Sequence, residues 1–222
     1  LYRTNAQSRV LEEALRRRNI PYRIYGGVAF YQRKEIKDAV AYFRLAVNPD
    51  DDEALKRVIN TPARGIGETT LKKLVSAAIQ HRVSIWQVLA EPLRYPVDVN
   101  KGTRLKLEGF VTLVKRFIEE NMRGVDADFL SRMIIADTRL MAMLVSDTTP
   151  ESISKRENLE ELLRAAAEFV SDRMEQEGTE ADTSMQRFLT EVSLATDQDM
   201  KDAADGESQR ITLMTIHAAK GL

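Results

Sequence analysis

No cysteine occurs in the 222 residues, and histidine appears only twice, as His81 and His217. Disulfide staples and thiolate metal sites are therefore excluded, and two imidazoles are too few for a histidine-based metal centre. No apolar run approaches the ~20 residues needed to cross a bilayer, and no charged segment leads into an apolar stretch at the start. Membrane and secretion readings fall away, and a reducing cytoplasm fits. Also missing are a glycine-rich loop of the form G-x-x-x-x-G-K-[ST] and an apolar strand ending in an acidic pair. Nothing in the chain itself is built to grip a nucleotide β-phosphate or its Mg²⁺.

What is present is enough apolar material, 43% of residues, to bury a core of one domain plus part of another. The net charge of −1 hides an asymmetry. Residues 1–82 carry 16 Lys and Arg against 9 Asp and Glu, whereas residues 83–222 carry 17 against 25. A basic N-terminal third suits phosphate-bearing partners, since clustered cations bind nucleic acid by counterion release. The triplet Arg16-Arg17-Arg18 alone reads equally well as a solvated helix end.

Val10, Leu11, Ala14 and Leu15 recur at helical spacing after Thr4 and Asn5, and Ile20-Pro21 stops that helix. Tyr22-Arg-Ile-Tyr25 reads as a short strand ended by Gly26-Gly27. The spacing predicts a helix over 33–47, a short one after Asp50-Asp51-Asp52, and a tight hairpin at Thr61-Pro-Ala-Arg-Gly-Ile-Gly67. Further helices follow with Leu71, Leu74, Val75 and Ala78, and around Trp86. Pro92 and the stretch Tyr95–Gly102 break the pattern and suggest a boundary near 96/97.

Beyond it, apolar stripes from Leu107 to Ile118, Phe129 to Ile134, Leu159 to Val170 and Phe188 to Val192 predict a helical bundle. The acidic stretches 171–182 and 197–207 hold few apolar residues and read as solvated connectors or mobile loops. Arg210–Thr215 reads as a final buried strand. Because both ends look like strand-and-helix material while the middle is helical, the expected fold is mainly α. A helical insertion (97–206) would sit in a partial α/β unit formed by residues 1–96 and 207–222, with Leu1 and Leu222 close together.

Three places could carry chemistry. Tyr2-Arg3-Thr4-Asn5 lies where a strand would run into a helix, the position at which open α/β sheets bind ligands. An arginine there can stabilise charge developing in phosphoryl transfer, and a tyrosine can stack on a base. A plain surface arginine beside a half-buried tyrosine fits the same residues. Arg64-Gly65-Ile66-Gly67-Glu-Thr69 offers glycines and a helix N-terminus to a phosphate, the helix-hairpin-helix way of holding a DNA backbone. An ordinary interhelical turn is the alternative. Thr215, His217 and Lys220 group a hydroxyl, an imidazole and a cation at a strand end, suited to a single-strand phosphate path. A structural histidine is again the plainer reading.

Arg3, Thr4, Asn5, Gln7 and Ser8 resemble motif IV of the UvrD/PcrA/Rep family of DNA helicases. Tyr25-Gly-Gly-Val-Ala-Phe-Tyr-Gln-Arg-Lys-Glu-Ile-Lys-Asp38 resembles motif IVa, and Thr215-x-His217-x-x-Lys220-Gly221 resembles motif V. The hairpin is similar to the family's T-P-x-R-G-I-G segment. The resemblance covers nearly the whole chain and implies a piece of a larger bacterial, cytoplasmic, ATP-dependent 3′-to-5′ helicase or translocase. The flanks would belong to its second RecA-like lobe (2A), and residues 97–206 to the helical 2B insertion.

It further implies that Arg3 contacts the γ-phosphate and Tyr2 packs on adenine. Arg64, Gly65, Ile66, Gly67 and Thr69 would meet a duplex or fork junction, and Thr215, His217 and Lys220 single-stranded DNA. ATP and Mg²⁺ would be bound with the help of the first RecA-like lobe, and the isolated piece would bind neither and turn over no ATP. Two other readings stand beside this one. The chain could be a DNA-backbone-binding or protein-docking helical module without a motor, or part of an AddA/RecB-like helicase with a fused nuclease.

Overall fold

A computed structural model describes residues 1–25, 28–145, 148–204 and 210–219, without the side chains of Asn5, 197–204, His217 and Ala218. A 3₁₀ turn at Asn5–Gln7 leads into α1 (Ser8–Arg17), which is followed by β1 (Tyr22–Ile24) and a second 3₁₀ turn at Phe30–Gln32. Four helices follow: α2 (Lys34–Val47), α3 (Asp52–Val58), α4 (Glu68–His81) and α5 (Ile85–Ala90). The long α6 (Lys101–Met122) precedes α7 (Ala127–Thr138), α8 (Leu140–Val145), α9 (Pro150–Glu177) and α10 (Met185–Ala204). The described chain closes with β2 (Ile211–Leu213) and α11 (Ile216–Ala219). The architecture is mainly α with one small parallel sheet. Among the described residues no helix is long and apolar enough to cross a membrane.

Side-chain caps explain where many helices start. Asp51, Ser84, Asn100, Asp126 and Thr149 each accept the backbone N–H three residues on, filling a donor that the first helical turn leaves open. Pro150 occupies the first turn of α9, where its missing N–H costs nothing.

The helical body is organised around α2, which touches α3, α6, α7, α9 and α10. Ile36, Ala39, Tyr42, Phe43 and Leu45 are all fully buried there, so α2 is covered on nearly every side rather than along one stripe. The hydrophobic cluster around it runs without interruption from Phe30 to Val192 and includes Leu107, Phe110 and Val114 of α6. Residues on both sides of 96/97 therefore share one core. A second, small cluster of Tyr2, Tyr22 and Leu213 lies under the sheet.

The two acidic stretches differ from expectation. Instead of loops, α9 runs on to Glu177, a 3₁₀ turn covers Gly178–Glu180, and the backbone of α10 reaches Ala204. In α9 ion pairing replaces apolar contact: Arg173 pairs with Glu177 one turn on and with Glu191 of α10 at 3.5 Å.

Parallel pairing of β1 with β2 joins the two ends of the chain, with Tyr22, Arg23 and Ile24 opposite Ile211, Thr212 and Leu213. On the other side of the same strand Tyr2 bridges to Thr215. Ile211 N–H donates to Pro21 O and Tyr25 N–H to Leu213 O on one edge. Tyr2 N–H donates to Met214 O (3.1 Å) and Ile216 N–H to Tyr2 O (2.9 Å) on the other. The returning strand thus lies between β1 and Tyr2, and Tyr22–Ile24 and Ile211–Leu213 share one sheet. Leu222 lies outside the described residues.

Candidate functional site

Two regions collect the residues singled out from the sequence: the carboxyl end of the sheet and the hairpin between α3 and α4. At the sheet, Tyr2 is 5% exposed and packs with Tyr22 and Leu213, whereas the next residue, Arg3, is exposed. Burial raises the Tyr2 hydroxyl above its usual pKa, opposed by the nearby Arg33 charge. Gln7 shapes the segment, its Oε1 accepting from the backbone N–H of Arg3 (3.0 Å) and Thr4 (3.3 Å). A cleft of about 510 Å³ lies beside this end of the sheet, its walls including Tyr2, Tyr25, Arg33, Lys34, Lys155 and Thr215.

β2 ends at Leu213 and Thr215 makes the bridge to Tyr2, after which the backbone turns helical. His217 therefore rides on the short helical turn α11 rather than on a strand end. Since Ile216 N–H donates to Tyr2 O, that turn begins next to Arg3. Lys220 and the pair Gly26-Gly27 lie outside the described residues.

Behind the sheet end sits a polar network that the sequence reading missed. Arg9 of α1 is 2% exposed, and its guanidinium donates to Glu161 (2.6 Å) and Glu168 (2.6 Å) of α9 and to Glu13 (2.9 Å). Burial pulls its pKa down, but Glu13 and the bonds to Glu161 and Glu168 outweigh it and hold the guanidinium above its ordinary value. Arg33 donates to Asn158 Oδ1 (2.8 Å) and Ser8 Oγ (2.5 Å), and Asn158 Nδ2 donates to Glu35 (2.5 Å). Burial lowers the Arg33 pKa, and Glu12 opposes the effect. Glu12 in turn accepts the Phe30 N–H at 3.1 Å. Buried charges survive only when paired in this way, so the network fixes α1 and the segment after β1 against α9. One signal was readable, the Arg9–Glu13 spacing of one helical turn.

At the hairpin, Asn60 Oδ1 accepts from the N–H of both Arg64 (2.8 Å) and Ile66 (3.1 Å), which curls the chain. Ile66 is 2% exposed and anchors the loop in the core. Arg64 turns inward: Nη1 donates to Val58 O (3.1 Å), Pro62 O (3.2 Å) and Ile59 O (3.4 Å), and Nη2 to the Tyr42 hydroxyl (2.7 Å). The Tyr42 hydroxyl bonds to Val58 O and Thr61 O, and burial pushes its pKa up to about 12.

Gly65 adopts φ +69°, a conformation that a side chain strains. Lys106 of α6 reaches its carbonyl at 3.2 Å. Gly67 has ordinary dihedrals and open space around it; it starts α4 without any side-chain cap, leaving the N–H groups of Glu68 and Thr69 to a ligand or to water. Thr69 is exposed in that first turn. Arg64, Gly65, Ile66, Gly67 and Thr69 are thus brought together, separately from the sheet-end group.

The whole chain, residues 1–222, matches the UvrD-like helicase C-terminal domain. It belongs to that family. It is 39% identical over 228 residues to the ATP-dependent DNA helicase PcrA of Bacillus subtilis, covering all of this chain and 29% of that relative. Against PcrA of Staphylococcus epidermidis the identity is 38% over 230 residues, with the same coverage of 100% and 29%. Against DNA helicase II of Salmonella typhimurium it is 36% over 222 residues, covering 100% of this chain and 30% of the relative. The chain therefore spans less than a third of the length of these curated relatives.

Proposed function

We propose that this chain is the second-lobe portion of an ATP-dependent 3′-to-5′ DNA helicase or translocase, supplying an arginine to the nucleotide and backbone contacts to DNA. The observation that carries the proposal is the Tyr2–Thr215 bridge, which sets exposed Arg3 beside the turn bearing His217 at the carboxyl end of the parallel strands. A fixed cation at such an edge can reach across a lobe interface to a γ-phosphate. Coupling to DNA would run through Thr215, His217 and Lys220 on single-stranded DNA.

Tyr2 supports Arg3 from the sheet. Tyr2 lines the cleft at the sheet end, where the family resemblance assigns it an adenine contact, and also packs with Tyr22 and Leu213. Mg²⁺ would be held, with ATP, by the lobe that carries the phosphate loop. The hairpin of Arg64, Gly65, Ile66, Gly67 and Thr69 is the element proposed to hold the duplex or fork backbone. In this reading residues 1–96 and 207–222 are assigned to the lobe and 97–206 to its helical insertion, joined through the core that α2 shares with α6, α7, α9 and α10.

The test is Arg3→Ala in the full-length protein. Loss of an arginine acting on the γ-phosphate should lower DNA-stimulated ATP turnover by roughly 10³–10⁵ while single-strand affinity holds. Normal turnover in that variant refutes the role.

A further inference from the structure

If the hairpin holds a DNA backbone, its charge must come from somewhere, and the obvious donor, Arg64, is occupied. Its two terminal nitrogens are directed at the carbonyls of Val58, Ile59 and Pro62 and the hydroxyl of Tyr42. The guanidinium carbon also lies 5.8 Å from the Tyr42 ring centre and 5.5 Å from that of Phe110, a fully buried residue of α6. A guanidinium so placed ties α2, α3, α6 and the loop together.

Lys106 has the opposite setting. It is exposed, projects from α6, and its Nζ reaches Gly65 O at 3.2 Å. A Cβ on Gly65 would fall 2.5 Å from that nitrogen, so the ammonium rests against the glycine that bends the hairpin. One of its three donors serves Gly65 O, and two remain for other acceptors. Of the neighbouring cations, Lys72 pairs with Glu68 at 2.9 Å and Lys73 donates to Asp98 O at 2.6 Å. Lys106 is the cation directed at the tip of the turn, next to the uncapped start of α4.

We infer that Lys106 is the phosphate-contacting cation of the hairpin and that Arg64 is a positioning residue acting through the loop backbone. This rests on the hairpin being a DNA-backbone contact, and it moves the ionic contact to a residue outside the T-P-x-R-G-I-G segment. The two roles differ in a measurable way. Losing a cation from a phosphate lowers the slope of log K against log salt by about one unit, whereas losing loop order weakens neutral N–H contacts and leaves the slope alone.

The experiment measures fork binding by the full-length protein at several salt concentrations for wild type, Lys106→Gln, Arg64→Gln, Tyr42→Phe and Gly67→Asp. Lys106→Gln should lose about one unit of slope; Arg64→Gln and Tyr42→Phe should weaken binding with the wild-type slope. A reduced slope in Arg64→Gln, or an unchanged slope in Lys106→Gln, overturns the assignment. Should Arg64→Gln fail to fold, exposed Lys106 and the conservative Tyr42→Phe still decide. If Gly67→Asp leaves fork binding intact, the hairpin reading itself fails; if Gly67→Asp weakens binding while Lys106→Gln does not change the slope, only the present inference fails.

Discussion

Arg9 Nε and Glu161 Oε1 meet at 2.6 Å although 152 positions separate them in the chain. The bond joins the helix that follows Arg3 to the middle of α9, and both side chains are buried. It makes the helical body part of the support for the segment that carries Arg3.

Removing Arg9 leaves Glu161, buried, with the exposed Arg164 (2.6 Å) as its remaining cation. Arg9→Met is expected to lower unfolding free energy by about 2–3 kcal/mol, below the penalty for a fully uncompensated buried charge, measured by urea denaturation. Adding Glu161→Leu should recover a large part of the loss, because a buried pair replaced by apolar groups avoids the desolvation cost. If the double variant is as unstable as the sum of the singles, the pair is not the cause.

Tyr42 gives the fold an alkaline limit. Its phenol is raised from about 10 to about 12 by burial, so the unfolded chain loses this proton first. The associated stability is fully present below pH 10 and is lost between pH 10 and 12, by an amount on the order of 3 kcal/mol over that window. Tyr42→Phe should flatten this part of the denaturation midpoint against pH. The difference between the two proteins isolates Tyr42 from Tyr31, whose phenol is also raised by burial.

The two glycines of the hairpin should separate folding from binding. Gly65→Ala forces a side chain to φ +69° and should cost about 1–2 kcal/mol. Gly67→Asp caps α4 and puts a negative charge at its N-terminus, a change worth about 0.3–1 kcal/mol in favour of the fold. The same carboxylate opposes a phosphate, so fork affinity should fall about tenfold or more while the melting temperature holds or rises. Equal fork affinity in Gly67→Asp and wild type would contradict the proposed contact.

The apolar stripes of α6, α7 and α9 were legible because burial imposes a helical period on them. The return of the final strand to the first was legible from the matched character of the two ends. Tails such as 171–177 were not, since a helix held by Arg173 to Glu177 and Glu191 has no apolar stripe to read. The inward turn of Arg64 was hidden for a different reason. Residue type says that it carries charge, but only the positions of Tyr42, Val58 and Phe110, from three separate helices, say where the charge points. Lys106 likewise falls 41 positions from the glycine that it touches, in a helix whose own pattern advertises only packing.

The pairing of β1 with β2 has a consequence for how the molecule forms. Arg23 and Thr212 face each other across 189 positions, whereas α2 and α3, or α4 and α5, are close neighbours in the chain. Closing so wide a loop in an unfolded chain gains only a few residues of pairing, so the sheet is expected to assemble after the helical body has brought its own ends together. Arg3 and Thr215, at the end of that sheet, are then last to be put in place. A defect deep among the helices reaches Arg3 by removing the scaffold on which the two ends of the chain meet.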